Sequence, residues 1–536
     1  MNNILKIRGK IKPKIERLDS LNKDLFINYD LISLSLIGFA LLISIYSFYF
    51  FISNKIYLIG SDAFYYMSVA DSLIQNGEMK NFVQIPSTPL RTPQNGIVFI
   101  HALLSLLGLS NNQHIVPIVF LNYFLYLSGI YPLYRIAKRS GMGTGFPLTT
   151  LLAVYIGAWH VYRINLLVLN DGIFNSMTLW LIFLIIEYAY SCDISELVSL
   201  SKPDLRKLFG IFFLVIVSIL FRVNAGLIIG SAIFGSILVR NYKAAIWFVI
   251  ACIFLLISFY ILFSFIEIEK HRVPHKYVFR LFRMVGQIFL TGNINGIKGI
   301  LWAILPRLTA GLSGLTNPLA TLFFTLFPIS MIYFLIKGFL ERNFAKVFIG
   351  LICLSGLWFM LAHFNARNIW YIFPFIYLII LSTKRIRFIG YVFVLIVFLQ
   401  SLQQFYIGFG RRPQSKLFKH IYENRISLPH DDPLLLTWKA RHSYFLLNTR
   451  SYRVADDDDG ELDGHITFPK ELNWDLIKKR DSLYVLGDST YIASAYSQVQ
   501  DMATSNGYKF ETNSLTPDLE KFEGWALVEL SLSKSQ

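Results

Sequence analysis

The sequence predicts a polytopic α-helical membrane protein, about eleven transmembrane helices with a long first outer loop, followed by a small α/β domain outside the membrane. Three observations predict it. Apolar runs of about 20 residues, the length that crosses roughly 30 Å of hydrocarbon, recur between residues 31 and 407. Charged residues make up only 16% of the 536-residue chain, against roughly 25% in soluble domains. Beyond about Gly408 the character changes, because charge returns and long apolar runs cease.

Residues 1–30 are polar and basic (Lys6, Arg8, Lys10, Lys12, Lys14, Arg17) and are expected in the cytoplasm. The first span, Leu31 to Ile52, is too long for a signal-peptide core and lacks a small-residue cleavage site, so it reads as a signal anchor. An outer loop over 53–114 follows. It is expected to hold an amphipathic helix (Met67 to Ile74) and a turn with Pro86, Pro89 and Pro93. Its apolar stretch, Ile97 to Leu107, is short for a span and reads as interfacial. The second span, Ile115 to Ala137, ends at Lys138-Arg139. Further spans are expected near 145–161, 168–190, 208–221, 224–240, 244–266, 316–336, 346–362, 369–383 and 388–406.

With the N-terminus inside, the inner turns are Lys138-Arg139, Lys202 to Lys207, Arg240 to Lys243, Lys337 to Lys346 and Lys384 to Arg387. Every one is basic, as the positive-inside rule asks. Residues 31–407 then form the membrane domain, with a second outer loop over 267–315, and residues 408–536 form the outer domain. There a strand is expected at Ser482 to Asp488, a helix at Tyr491 to Ser505 and a last strand at Ala526 to Leu532. No internal repeat is evident. The placement implies an integral multi-pass protein of a bacterial plasma membrane, because the anchor is uncleaved and the outer region holds no cysteine.

The net charge of +16 does not signal nucleic acid, since basic residues sit in short segments between apolar runs. Cys192, Cys252 and Cys353 are widely spaced and suit packing rather than a disulfide framework. No glycine-rich nucleotide motif occurs. Gly487-Asp488-Ser489 has the start of a lipase motif, but no histidine follows Asp488 to act as base. The acidic run Asp456 to Asp459 has the wrong spacing for an EF-hand, because Lys470 stands where the last ligand would be.

Candidate site residues gather in the outer segments. Asp62, just beyond the first span, is followed by Tyr65 and Tyr66; alone it reads as a solvated loop acid. Asp171, in Leu169-Asn170-Asp171-Gly172, reads equally as a helix cap. Arg272, Lys276, Arg280 and Arg283 break the positive-inside trend in the second outer loop, and Arg280 and Arg283 share a helix face. Such groups clamp phosphate or snorkel to headgroups. His363 and Arg367 stand in a late outer turn ahead of Tyr371 and Pro374, and Arg222-Val223-Asn224 forms a short outer turn.

Taken together, Asp62, Tyr66, Ala70, Leu73 and Gly77, then Arg91-Thr92-Pro93-Gln94-Asn95-Gly96, then an apolar helix ending Leu106-Leu107-Gly108, resemble the first outer loop of the GT-C glycosyltransferases. That family takes sugars from polyprenyl-phosphate carriers and includes protein O-mannosyltransferases and lipid A aminoarabinose transferases. Arg367 with Tyr371 and Pro374 is similar to its late Arg-Tyr-x-x-Pro stretch, with the arginine displaced by two residues.

The resemblance implies an inverting glycosyltransferase at the outer face. Asp62 would be its base and Asp171 a second catalytic acid, on the acceptor or metal side. Arg367, Arg280, Arg283, Lys276 and Arg272 would bind the donor phosphate, and Tyr65, Tyr66 and His363 the substrate. Its partners would be the polyprenyl-phosphate sugar, a lipid, glycan or protein acceptor and membrane lipids, with no nucleic acid. The sequence names no cofactor: a divalent metal stays open, but Ala63-Phe64 follow Asp62 where an Asp-x-Asp motif would continue. The alternative is a transporter or flippase of a lipid-linked glycan.

Overall fold

The computed structural model describes residues 31–49, 52–53, 61–80, 84–85, 96–157, 168, 170–192, 205–222, 225–264, 317–363, 371–384, 386–407, 417–418, 420–421, 423–424, 426–428, 433–437, 447, 451–452, 472–516 and 524–534. The apolar part is helical: α1 (Leu31–Tyr49), α2 (Ser61–Asn76), α3 (Gly96–Leu106), α4 (Asn111–Ser128), α5 (Ile130–Arg139), α6 (Phe146–Gly157), α7 (Asn170–Ser191), α8 (Leu205–Phe221), α9 (Ala225–Leu238), α10 (Tyr242–Ser264), α11 (Asn317–Leu340), α12 (Phe344–His363), α13 (Phe373–Ser382) and α14 (Arg387–Ile407). Among the described residues, three helices are long and apolar enough to cross a membrane: Leu31–Tyr49, Gln113–Arg139 and Asn170–Ser191. Shorter apolar helices fall on the other expected spans from 145–161 to 388–406 except 208–221, where α8 stands, and the expected count of eleven spans is not reached by length and composition among the described residues.

Gln113–Arg139 is α4 running into α5, because Gly129 between them keeps helical angles (φ −64, ψ −14). The glycine is required by packing. Tyr155 of α6 reaches across to donate its hydroxyl to the Tyr126 carbonyl at 2.8 Å, and a Cβ on Gly129 would lie 2.3 Å from that hydroxyl. Trp180 of α7 donates to the Ser128 hydroxyl at 2.9 Å beside it.

Polar contacts sort the helix ends into two groups. At one end, Arg139 grips Glu187 of α7 with two bonds of 2.9 Å, and Arg135 adds a third at 3.2 Å. The turn between α11 and α12 joins them, because Asn343 donates to the Arg139 carbonyl at 3.1 Å and accepts from the Tyr190 hydroxyl at 3.1 Å. Asn241, between α9 and α10, donates to the Ala189 carbonyl at 2.8 Å. Three of the basic turns expected on the inner side are therefore packed into one layer. The opposite ends of α3, α7 and α8 meet elsewhere and form the candidate site.

One strand between α2 and α3 and five after α14 build a sheet of order β1-β3-β2-β4-β6-β5, from β1 (Gln84–Ile85), β2 (Leu435–Leu436), β3 (Ser451–Tyr452), β4 (Ser482–Asp488), β5 (Tyr508–Ser514) and β6 (Trp525–Lys534). Helices α15 (Trp474–Arg480) and α16 (Ser489–Thr504) complete it. β4 pairs antiparallel with β6, from Ser482 opposite Ser531 to Asp488 opposite Trp525, and parallel with β2. Its Leu483 and Val485 pack with Ala495 and Val499 of α16, while Tyr484 and Leu486 face Leu417, Phe418 and Trp525. A strand covered on both faces reads as an unbroken apolar run, as Leu483 to Leu486 does.

The expected strand, helix and last strand correspond to β4, α16 and β6. Strand β5, absent from the expectation, buries only Phe510 of its seven residues, so no apolar alternation marks it. Strand β1 belongs to the first outer loop in sequence, yet pairs parallel with β3 (Gln84 with Ser451, Ile85 with Tyr452) and so forms one edge of the C-terminal sheet.

Candidate functional site

The site is assembled at the ends of α3, α7 and α8 that lie away from the arginine–glutamate layer. Asn170 and Asp171 open α7 and are almost fully buried. The Asn170 side-chain oxygen accepts the Ile97 backbone N–H at 3.0 Å, which satisfies an amide that the first turn of α3 leaves unpaired. Asp171, 2% exposed, is ion-paired with Arg222, 21% exposed, at the end of α8. Gly96 permits this convergence: a Cβ there would lie 2.8 Å from the Phe221 ring. One dipeptide thus ties three chain segments together. Asp171 is therefore more than a cap, since it holds a guanidinium beside the start of α3.

Asp62 lies in the first turn of α2, and its side chain is outside the described residues. Residues Ala63 to Ala70 are buried on every side, with the Tyr65 and Tyr66 rings edge to face at 5.5 Å. The helix expected over Met67 to Ile74 is present, but its bounds and its amphipathic character are corrected. The helix begins earlier, and its first half is enclosed; only the last turns, from Leu73 on, emerge. Enclosure suits the sequence, whose Ala63, Ala70 and Ser68 leave room for neighbours, and Ser68 returns its hydroxyl to the Tyr65 carbonyl at 2.9 Å.

Two polar pairs that sequence reasoning missed fasten this loop to α4. Asn111 donates to Asp71 of α2 at 2.7 Å. His101 of α3 and His114 of α4, both fully buried, bring their Nδ1 atoms to 3.2 Å. The tautomers follow for neutral rings. His114 Nε2 lies 2.9 Å from the Leu109 carbonyl, which only accepts, so that nitrogen carries the proton. Its Nδ1 is then bare and accepts from His101 Nδ1–H, which leaves His101 Nε2 as a buried acceptor with no partner among the described residues. In sequence these residues stand 13 apart, which gives no signal of contact.

The late outer turn reaches the same corner through Tyr371. Its ring packs edge to face on Phe174, three residues after Asp171, at 5.8 Å, and its buried hydroxyl has no partner among the described residues. Arg367, Arg272, Lys276, Arg280 and Arg283 lie outside the described residues, as does the loop over 267–315. His363 closes α12, with its side chain outside them. Among the described residues no three His, Cys, Asp or Glu side chains form a group suited to a metal, and the Asp171 carboxylate already carries an arginine.

No protein-family model matches the chain, and no curated protein matches it. Among solved structures it is similar to the apo oligosaccharyltransferase of Archaeoglobus fulgidus (13% identity over 94% of this chain and 74% of that one, TM-score 0.47). It is also similar to that organism's oligosaccharyltransferase AglB in complex with an inhibitory peptide and a dolichol-phosphate (12%, 95% and 75%, TM-score 0.41). A further similar structure is ArnT from Cupriavidus metallidurans bound to undecaprenyl phosphate (12%, 95% and 98%, TM-score 0.40).

Proposed function

We propose that the chain is an integral-membrane glycosyltransferase of the GT-C type, which moves a sugar from a polyprenyl-phosphate carrier to a lipid, glycan or protein acceptor. Asp62 takes the proton of the acceptor hydroxyl or amine as that atom bonds to the anomeric carbon. The carrier phosphate leaves from the opposite face with the bonding electrons, so the configuration inverts. The observation that carries the reading is the Asp171–Arg222 pair, because it fixes a guanidinium at the start of α7, beside an acid that the family resemblance singles out. An arginine fork stabilises the charge that grows on the leaving phosphate.

In this reading Asp171 positions Arg222 rather than binding metal. Tyr371 stands at the same corner, next to the turn that holds Arg367. Arg280, Arg283, Lys276 and Arg272 remain proposed phosphate ligands, and Tyr65, Tyr66 and His363 proposed substrate contacts. The N-terminus is assigned to the cytoplasm of a bacterial cell, 31–407 to the catalytic membrane domain and 408–536 to the outer face.

The test is reconstitution in vesicles with radiolabelled polyprenyl-phosphate sugars and an envelope extract as acceptor. Wild-type protein is expected to move label from carrier to acceptor. Asp62→Asn should slow this by about 10²- to 10⁴-fold while carrier binding persists. Movement of carrier between leaflets without cleavage of the sugar–phosphate bond would refute the enzyme reading.

A further inference from the structure

Strand β1 belongs to the first outer loop, between the helix that bears Asp62 and the start of α3, yet its only described strand partner is β3 of the C-terminal sheet. The two strands stand more than 360 residues apart in the chain and are paired in register, Gln84 with Ser451 and Ile85 with Tyr452. β3 is in turn bonded to β2, and β2 to the long central strand β4. A continuous ladder therefore runs from the core of the C-terminal domain to the loop, in addition to the covalent link after α14. Loop residues gain order only where something holds them, because ordering each backbone residue costs conformational entropy. On the other side the loop is held by a buried bond at Asn170 and a half-buried one at Asn111.

We infer that the C-terminal domain is a positioning element for the first outer loop, acting through the β1–β3 pairing, rather than a separate binding module. A pairing of two residues is short by the standard of sheets, so it closes last and opens first. The domain then sets how often Gln84 and Ile85, between α2 and α3, are held in their paired position. The consequence for sugar transfer rests on the proposed function; the consequence for order in the loop does not.

Cysteine cross-linking separates the two. In a background with Cys192, Cys252 and Cys353 replaced by alanine, Gln84→Cys with Ser451→Cys places two thiols at one register position. Parallel neighbours have Cα separations within disulfide range. Added oxidant should form the bond, and mass spectrometry should find one linked peptide pair carrying positions 84 and 451. Alternate residues of a strand direct their N–H groups to opposite sides, so one of Gln84→Pro and Ile85→Pro removes a donor to β3 and the other serves as its control.

The harmful proline should raise amide exchange over Gly77 to Lys80 about tenfold and lower transfer by a similar factor. Cross-linking at the register position that remains free (84 with 451, or 85 with 452) should restore both to within about twofold, and dithiothreitol should undo the rescue. Failure of the linked peptide to form in folded protein would overturn the pairing. Equal behaviour of both proline variants and the wild type would overturn the positioning role. If wild-type protein transfers no sugar, the exchange result still decides this inference while the proposed function falls alone.

Discussion

At the scale of single residues, the Asp171–Arg222 pair makes the sharpest claim. A carboxylate 2% exposed cannot be left unpartnered cheaply, so removing either member of a buried pair costs roughly 3 kcal/mol. Replacing both with apolar groups of similar size costs much less. We therefore expect Asp171→Leu and Arg222→Met each to lower the unfolding temperature, and the double variant to recover most of that loss in a thermal-shift assay. Transfer should not recover in the double variant, because the guanidinium proposed to meet the phosphate is still gone. Recovery of both would make the pair purely structural. Asp171 was legible as a candidate because acids at helix starts are few in an apolar chain. Its partner was named only as a member of a short turn, since a separation of 51 positions hides the contact.

At the scale of elements, close helix approach depends on glycines whose role the sequence does not announce. Gly129 lies where α4 continues into α5 and faces the Tyr155 hydroxyl of α6. Gly129→Ala should destabilise the protein by about 1–3 kcal/mol through overpacking. Adding Tyr155→Phe removes the obstructing oxygen and should return part of that stability, measured as the thermal midpoint of each variant in detergent. The helices themselves were legible, since a run of apolar residues long enough to span a bilayer has little else to form. Their pairing was not. The turns Arg240-Asn241 and Arg342-Asn343 show why. In both, the arginine is left-handed (φ 64 and 49) and the asparagine N–H returns to a carbonyl five residues back, at 2.8 Å (Ser236 and Gly338). Each asparagine side chain then accepts from the opening turn of the next helix (Ala244 N–H at 3.2 Å, Lys346 N–H at 3.0 Å). A shared hairpin device of two residues is too short to appear as a repeat in sequence.

At the scale of the whole molecule, segments that the charge pattern groups together also touch one another among the described residues. The charge pattern put Lys138-Arg139, Arg240 to Lys243 and Lys337 to Lys346 on one side, and the contacts of Arg139, Asn241 and Asn343 place those turns in one layer. The charge pattern put the first outer loop and the C-terminal region on the other side, and β1 joins them in one sheet. Basic turns were legible because the positive-inside rule acts on local composition. The sheet contact was not, because a two-residue strand carries no periodicity. The division makes a firm prediction for single cysteines in a background without Cys192, Cys252 and Cys353, labelled in intact cells by a membrane-impermeant maleimide. Cysteines at Lys80, Asp501 and Glu511 should label from outside, whereas those at Lys138, Arg240 and Arg342 should label only after permeabilisation. Labelling of all six from outside would mean that the layers do not straddle a bilayer. An exact reversal would keep the two-ended architecture but turn the candidate site toward the cytoplasm. A carrier-linked sugar would then be met on the inner leaflet, and the assignment of Asp62 to chemistry at the outer face would fail.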